Sequence, residues 1–144
     1  MKTVIILVGA SGSGKSSWVK EYLRLGGSPL VVSADHYFEG ADGSYVFDRT
    51  KLHKAHRQCQ SRFQQAVDSG VDTIIVDNTN TRGWERKLYV EAGQKAGYKV
   101  WLKVFKVNPH VAATRNVHDV PLDVIKNMND RIDVEEGFYE ISKP

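Results

Sequence analysis

The sequence predicts a three-layer α/β fold, with helices on both faces of a parallel sheet of four to five strands. Short apolar runs alternate along the chain with amphipathic segments of helical period. The first run, TVIILV, lacks polar alternation, which is typical of a strand buried on both faces of a parallel sheet. Glycines follow several helical segments as stop signals. Together these features favour parallel strands joined by right-handed crossovers.

The composition favours one globular domain spanning residues 1–144. The chain is 41% hydrophobic and 26% charged, which excludes disordered and collagen-like classes. The apolar start ends at Val8, too early for a membrane span or secretion signal, so we expect no membrane partner and a cytoplasmic location. The single cysteine, Cys59, predicts a core thiol without a disulfide. The net charge of +3 divides into +4 over residues 1–100 and −1 over residues 101–144, which allows a polyanionic partner.

Four apolar runs predict strands at residues 3–8, 30–32, 73–76 and 100–107. Apolar residues at steps of three and four predict helices over 16–25, 51–69 and 84–96, and two more open at Asn108 and Pro121. The segment 37–48 contains an Asp42-Gly43 turn and predicts a short hairpin. Because ligands of such sheets bind beyond the carboxyl ends of the strands, we expect the chemistry immediately after each apolar run.

The segment after the first strand matches the phosphate-binding pattern G-x-x-x-x-G-K-[ST] and stands between a strand and a helix, as that pattern requires. Its glycines let successive backbone N–H groups point at a phosphate, aided by the positive end of the helix. Lys15 is expected to bridge the β- and γ-phosphates of ATP and Ser16 to ligate Mg²⁺. The predicted nucleotide-binding residues are Gly9, Ala10, Ser11, Gly12, Ser13, Gly14, Lys15, Ser16 and Ser17.

Asp77 ends the third apolar run and is the natural second ligand of Mg²⁺, so the predicted metal site is Ser16 with Asp77. A turn-capping role is the alternative for Asp77, because Asn78, Thr79 and Asn80 that follow are all capping types. Asn80 is expected to shape this loop, with contact to the acceptor substrate as a second interpretation.

The remaining motifs favour a small kinase among the phosphate-binding classes. Guanine-specific GTPases need an Asn-Lys-x-Asp loop, and the Asn-x-x-Asp of residues 127–130 lacks the lysine. A kinase needs a base beside the acceptor hydroxyl, and Asp35 follows the second strand where it could take that proton or cap a turn. Arg115 precedes Pro121 between two predicted helices, where a short helical lid over about 115–121 would bring a guanidinium onto the phosphates.

These residues resemble the kinase domain of bacteriophage polynucleotide kinase and its relatives. In that family the domain transfers the γ-phosphate of ATP to the 5′-hydroxyl of DNA or RNA. The resemblance spans nearly the whole chain. It implies a P-loop kinase fold, with Lys15 on phosphate, Asp35 as general base and Arg115 as the lid arginine. The matching pieces are GASGSGKSSW, SADHY, IIVDNTN, WERK, VFKVNP, RN and VPLDVIKNM, which begin at residues 9, 33, 74, 84, 104, 115 and 120.

The chain departs from that family at the acceptor side. Phage polynucleotide kinases carry an arginine three residues after the base that holds the acceptor's phosphate, and this sequence has Phe38 there. The aromatic side chains Tyr37, Phe38, Tyr45 and Phe47 could stack on a nucleic-acid base or form the small core of the hairpin. The lid is shorter and has no second arginine, and we expect no counterpart of the 3′-phosphatase domain of repair-type relatives.

A basic cluster points to nucleic acid as the partner. Lys51, Lys54 and Arg57 crowd the start of one predicted helix together with His53 and His56, which favours a phosphate-tracking surface or a solvated helix face. The first acceptor expected is therefore a 5′-terminal hydroxyl. The alternatives are 5-hydroxymethyluracil in phage DNA, a small metabolite or nucleoside, and an ATP-binding module without turnover; a phage-encoded protein would act in the host cytoplasm.

Overall fold

The structure is a computed structural model that describes residues 2–10, 12–105, 121–133 and 136–138. Its strands are β1 (Thr3–Gly9), β2 (Leu30–Val32), β3 (Thr73–Asp77), β4 (Lys99–Phe105) and β5 (Gly137–Phe138). Its α-helices are α1 (Lys15–Arg24), α2 (Leu52–Asp68), α3 (Gly83–Lys95) and α4 (Leu122–Asp130). Two short 3-10 helices lie between β2 and α2, at Ala34–Phe38 and at Arg49–Lys51.

The strands form one sheet in the order β2-β3-β1-β4-β5, and its first four strands are parallel. The predicted α/β fold with four parallel strands is confirmed. The fifth strand is antiparallel to β4, pairing Trp101 with Phe138 and Leu102 with Gly137. Since β1 pairs with β3 from Thr3 opposite Thr73 to Leu7 opposite Asp77, the end of β3 lies beside the loop that leaves β1.

The core lies on both faces of the sheet, as three layers require. Val4, Ile6 and Val8 of β1 pack in a cluster with side chains of α2 and α3, including Cys59 and Tyr89. The alternate residues Ile5 and Leu7 pack on the other face against Val19 of α1. This alternation follows the two-residue period of a strand and explains why the run carries no polar residue.

The described helices begin and end within about one residue of the predicted bounds, and the start of α2 differs in kind. The helix predicted from residue 51 starts as a 3-10 turn at Arg49–Lys51, because the Asp48 carboxylate accepts a bond from the Thr50 N–H and begins the turn early. The strand predicted to residue 107 is described only to Phe105. The helix expected at Asn108, Arg115 and the lid up to residue 120 lie outside the described residues.

The segment predicted as a hairpin at 37–48 forms a short antiparallel hairpin beyond the edge strand β2. Glu39 and Tyr45 form an antiparallel bridge, the Gly40 N–H donates to Ser44 O over 2.8 Å, and Gly43 has the left-handed φ of 82° that its turn needs. Among the described helices, none is long and apolar enough to cross a membrane.

Candidate active site

The loop between β1 and α1 has the conformation of a phosphate cradle. Gly12 and Gly14 have φ values of 75° and 106°, in the left-handed region that favours glycine. At Gly9 a Cβ atom would lie 2.9 Å from Phe105 O, so the residue must be glycine for β1 and β4 to meet here. The backbone can therefore curl closely around a ligand at the amino end of α1, where helix N–H groups favour an anion.

Lys15 closes this loop on itself. Its Nζ atom donates to Gly9 O over 2.6 Å and to Ala10 O over 2.9 Å. Burial lowers the pKa of Lys15 to about 8, although the nearby carboxylates of Asp77 and Asp35 act to raise it. The ammonium group is therefore held in a poorly solvated position where an added negative charge would stabilise it.

The cradle also holds a buried hydroxyl that bonds to nothing in the described part of the chain. Ser13 is 4% exposed, and its Oγ atom has no hydrogen-bond partner there. A buried polar group without a partner is costly, so an oxygen-rich ligand in the loop would satisfy it. The glycine geometry, Lys15 and this hydroxyl together fit the triphosphate that the sequence predicts.

Three charged side chains from separate elements meet at the carboxyl edge of the sheet. Lys15 from α1 interacts electrostatically with Asp77 at the end of β3 and with Asp35 after β2. Burial raises the pKa of Asp77, and Asp35 raises it further while Lys15 and His36 lower it. The two carboxylates therefore lie near each other and near Lys15 at this edge, as the positions after parallel strands predict.

Asp35 is exposed and held by the hairpin. Its backbone N–H donates to Ser33 Oγ over 3.2 Å, which starts the 3-10 turn at Ala34–Phe38. Tyr45 donates its hydroxyl to Asp35 Oδ1 over 3.1 Å. Burial raises the pKa of Tyr45, and Asp35 adds to the effect, so this hydroxyl stays protonated as a donor at neutral pH. The sequence suggested a stacking surface or a place in the hairpin core for Tyr45, and gave no sign of this bond.

Asn78 ties the Asp35 turn to the end of β3. Its Oδ1 atom accepts from the Ala34 N–H over 2.8 Å, and its Nδ2 atom donates to Cys59 Sγ over 3.5 Å. Tyr89 donates its hydroxyl to the same sulfur over 3.4 Å. Cys59 is fully buried and free, as predicted, and burial raises the pKa of its thiol. The turn that carries Asp35 and the strand end that carries Asp77 are therefore joined through one amide.

Asn80 is a buried residue that shapes the loop after β3. It is 2% exposed, and its Nδ2 atom donates to Leu7 O over 2.9 Å. Its φ of 49° is the only left-handed value at a non-glycine residue in the described ranges, a conformation that asparagine tolerates better than most residues. The burial of Asn80 and its bond to Leu7 O favour the loop-shaping role over the second interpretation, contact with the acceptor.

The aromatic side chains of the hairpin separate into core and surface. Phe38 is 7% exposed and packs edge-on against Tyr37, Tyr45 and Phe47, at centroid distances of 5.3, 6.2 and 5.1 Å. Of the two interpretations of Phe38, a surface for stacking and the core of the hairpin, its burial favours the core. Tyr37 is half-buried, whereas Phe47 remains 52% exposed.

The basic residues lie at the same edge as the carboxylates. Helix α2 ends at Asp68 and β3 begins at Thr73, so α2 runs back along the sheet and starts at the carboxyl edge. Lys51, Lys54 and Arg57 are all exposed there. Ser16 and Ser17 are exposed at the start of α1, whereas Ser11 and Arg115 lie outside the described residues.

The oxygen donors near the cradle suit a hard divalent cation. Ser16 offers a hydroxyl at the start of α1, and Asp77 offers a carboxylate at the end of the neighbouring strand. Within the described ranges no three His, Cys, Asp or Glu side chains come together as a metal site. Two protein oxygens completed by phosphate oxygens and water are the coordination that Mg²⁺ commonly takes in phosphoryl-transfer sites.

A buried ionic network beside the site was missing from the sequence interpretation. Arg86 is 7% exposed; its guanidinium donates to Asn80 O over 2.7 Å and to Asp133 Oδ1 over 2.5 Å. Asp133 also accepts from the Gly83 N–H over 3.0 Å. The network fixes the Asp77–Asn80 loop and the segment after α4 to the start of α3.

Replacing Arg86 by Met is expected to lower the free energy of unfolding by about 3 kcal/mol, because it leaves Asn80 O and Asp133 without their buried partner. Urea unfolding measures the difference. Arg24→Met is the matched control, since its ion pair with Glu21 is exposed and its loss should change stability little. Equal losses in the two variants would contradict a structural role for the Arg86 network.

Comparisons with known proteins agree with this architecture. A family model described as an AAA domain matches residues 4–134. Human NEDD4-binding protein 2 is 36% identical over 129 residues, a match that covers 87% of this chain and 7% of that protein. The chain therefore spans only a small part of the length of this relative.

Solved structures share the fold at low identity. A chain of the Pnkp1/Rnl/Hen1 RNA repair complex gives a TM-score of 0.73 at 17% identity, covering 91% of this chain and 44% of that chain. The APS kinase CysC of Mycobacterium tuberculosis, solved with AMPPNP and APS, gives a TM-score of 0.57 at 18% identity. The match covers 81% of this chain and 69% of that chain. A gluconokinase from Sinorhizobium meliloti gives a TM-score of 0.58 at 15% identity, and the match covers 92% of this chain and 75% of that chain. These likenesses confirm the predicted P-loop kinase type of fold.

Proposed function

The chain belongs to the AAA domain family, and from this premise we propose that it is a Mg²⁺-dependent kinase that transfers the γ-phosphate of ATP to a hydroxyl group of a nucleic acid. The observation that carries the proposal is the electrostatic interaction of Lys15, Asp77 and Asp35 beside the phosphate cradle. A phosphate-binding cation, a metal-binding carboxylate and an exposed carboxylate on the acceptor side are the parts that phosphoryl transfer needs.

In the proposed reaction Asp35 takes the proton of the acceptor hydroxyl as that oxygen bonds to the γ-phosphorus. The bond from the γ-phosphorus to the β–γ bridging oxygen breaks, and ADP leaves. Lys15 and the N–H groups of the cradle stabilise the charge on the phosphate oxygens. Mg²⁺ held by Ser16 and Asp77 would neutralise part of the same charge.

Several observations support ATP as the donor and a 5′-terminal hydroxyl as the first acceptor. The sequence lacks the guanine-recognition pattern. The fold is shared with a chain of an RNA repair complex and with a kinase solved with AMPPNP. The motifs resemble those of phage polynucleotide kinases, with Asp35 at the position of their base. Arg115 is proposed as the lid arginine on the same resemblance.

Phe38 supports a second acceptor, the hydroxyl of 5-hydroxymethyluracil in DNA. The buried Phe38 stands where phage polynucleotide kinases have the arginine that holds the phosphate of a 5′ end. A hydroxyl on a base has no phosphate at that place and would not need this arginine. A phage origin and a role in DNA modification belong to this second proposal.

The acceptor is tested by offering ATP labelled in the γ-phosphate to a matched panel. The panel contains single-stranded DNA and RNA with 5′-hydroxyl ends, the same DNA already 5′-phosphorylated, a 5′-phosphorylated duplex containing 5-hydroxymethyluracil, and the metabolites APS and gluconate. We expect label only on acceptors with a 5′-hydroxyl. Label on the 5′-phosphorylated modified duplex would establish the second acceptor, and label on metabolites alone would overturn a nucleic-acid substrate.

The basic surface formed by Lys51, Lys54 and Arg57 gives a separate prediction. Changing all three to Ala should weaken binding of single-stranded oligonucleotides and reduce the slope of log K against log salt by about 0.7 for each phosphate that the protein no longer neutralises. The matched control changes Lys20, Lys95 and Lys99, which removes equal charge from exposed sites elsewhere. Fluorescence titrations at several salt concentrations measure both slopes. Equal slopes in the two triple variants would exclude this surface from nucleic-acid binding.

A further inference from the structure

We infer that Phe47 is a stacking platform for an unpaired base near the 5′ end of the acceptor strand. The inference rests on the proposed function and specifies how the acceptor is recognised. It starts from the return strand of the hairpin, residues 45–47. This segment carries the exposed ring of Phe47 two positions after Tyr45, whose hydroxyl bonds to Asp35.

The hairpin fixes the direction of Phe47. Glu39 bridges to Tyr45, and the Val46 N–H donates to Phe38 O over 3.1 Å, so residues 45–47 run extended beside the turn. In extended backbone alternate side chains share a face. Tyr45 and Phe47 therefore lie on the same face, and both rings contact Phe38. Since the Tyr45 hydroxyl reaches Asp35, this is the face of the hairpin that carries the base.

Phe47 is the ring of this cluster that remains open. Phe38 is 7% exposed and Tyr45 half-buried, whereas Phe47 is 52% exposed and rests edge-on against Phe38 at an interplanar angle of 60°. A ring supported on one side and open on the other loses little conformational freedom when a base stacks on it.

The basic residues that follow Phe47 in the chain indicate the class of partner. Arg49, Lys51 and Lys54 follow Phe47 and are all exposed, at the start of α2 and the turn before it. An aromatic ring beside a run of cations is the arrangement that binds single-stranded nucleic acid, because the ring stacks a base and the cations track the phosphates. A small metabolite has no second unit to reach this surface from Asp35.

The test measures kcat and KM for a short oligothymidylate with a 5′-hydroxyl, using the full chain. Phe47→Ala should raise the KM for the oligonucleotide by roughly 5-fold to 100-fold and leave the KM for ATP unchanged. Phe47→Trp should restore the KM, whereas Phe47→Leu, which keeps apolar bulk without a π face, should not. Leu25→Ala is the control, since it truncates an apolar side chain that is 72% exposed at the far end of α1.

Abasic acceptors locate the stacked base. Three acceptors each carry one abasic nucleotide, at the first, second or third position. With the unmodified chain, one of them should have a higher KM than the intact oligonucleotide. With that same acceptor, Phe47→Ala should raise the KM no further. An unchanged KM in Phe47→Ala, or equal abasic effects with and without Phe47, would overturn this inference alone. A chain that phosphorylates no oligonucleotide would overturn the proposed function and this inference with it.

Discussion

Replacing Asp35 by Asn is expected to lower the rate of phosphoryl transfer by about 10²-fold to 10⁴-fold, the usual contribution of a positioned general base. The amide keeps the size of the side chain and can still accept the bond from Tyr45, but it cannot take the acceptor's proton. The affinity for ATP should change little, because the cradle residues of β1 and α1 remain intact. Single-turnover transfer and ATP binding, measured on the same preparation, check both halves of this prediction.

Asp42→Asn is the matched control for this change. Asp42 is exposed at the turn of the same hairpin, and its carboxylate accepts a bond from the Ser44 N–H. Its replacement removes one negative charge from the same segment without touching the cleft. Equal activity of Asp35→Asn and Asp42→Asn would exclude Asp35 as the base.

Replacing Lys15 by Ala should lower kcat by about 10²-fold to 10³-fold, the range found when one donor to a developing negative charge is removed. The variant should also lose the pH dependence of nucleotide affinity that we expect for the unmodified chain. Because the pKa of Lys15 is about 8 in the protein without nucleotide, the side chain loses its charge as the pH rises through that value. A bound triphosphate favours the charged form of Lys15. The affinity of the chain for the triphosphate should therefore fall above pH 8, by at most tenfold per pH unit.

Calorimetric titration of an ATP analogue from about pH 7 to about pH 10, a range that brackets the pKa of Lys15, measures this effect. Lys20→Ala is the control, since Lys20 is exposed on the same helix. Affinity that falls above pH 8 in the Lys15→Ala variant as steeply as in the unmodified chain would show that another group is responsible.

The parts of the site that depend on local sequence could be predicted. The cradle occupies consecutive residues between a strand and a helix, and its glycines are required by the backbone itself. The meeting of Asp35 and Asp77 follows from the rule that parallel strands end at one edge. Both depend on short-range signals or on topology, which the apolar runs reveal.

The parts that depend on tertiary contacts could not be predicted. Arg86 and Asp133 are 47 positions apart, and no periodic pattern relates them. The bond between Tyr45 and Asp35 depends on how the hairpin folds over the turn. Strand β5 has two residues, too few to produce an alternation. Whether Phe38 or Phe47 enters the core is decided by the direction of the return strand, since both are equally apolar in the sequence.

The central claim is that Asp35 prepares the acceptor hydroxyl for attack on the γ-phosphorus. The most direct test is a crystal structure of the chain with Mg²⁺, a non-hydrolysable ATP analogue and a 5′-hydroxyl oligonucleotide. The terminal hydroxyl is expected within hydrogen-bond distance of the Asp35 carboxylate and in line with the γ-phosphorus. A terminal hydroxyl bound away from Asp35, with the carboxylate turned to bulk solvent, would contradict the account.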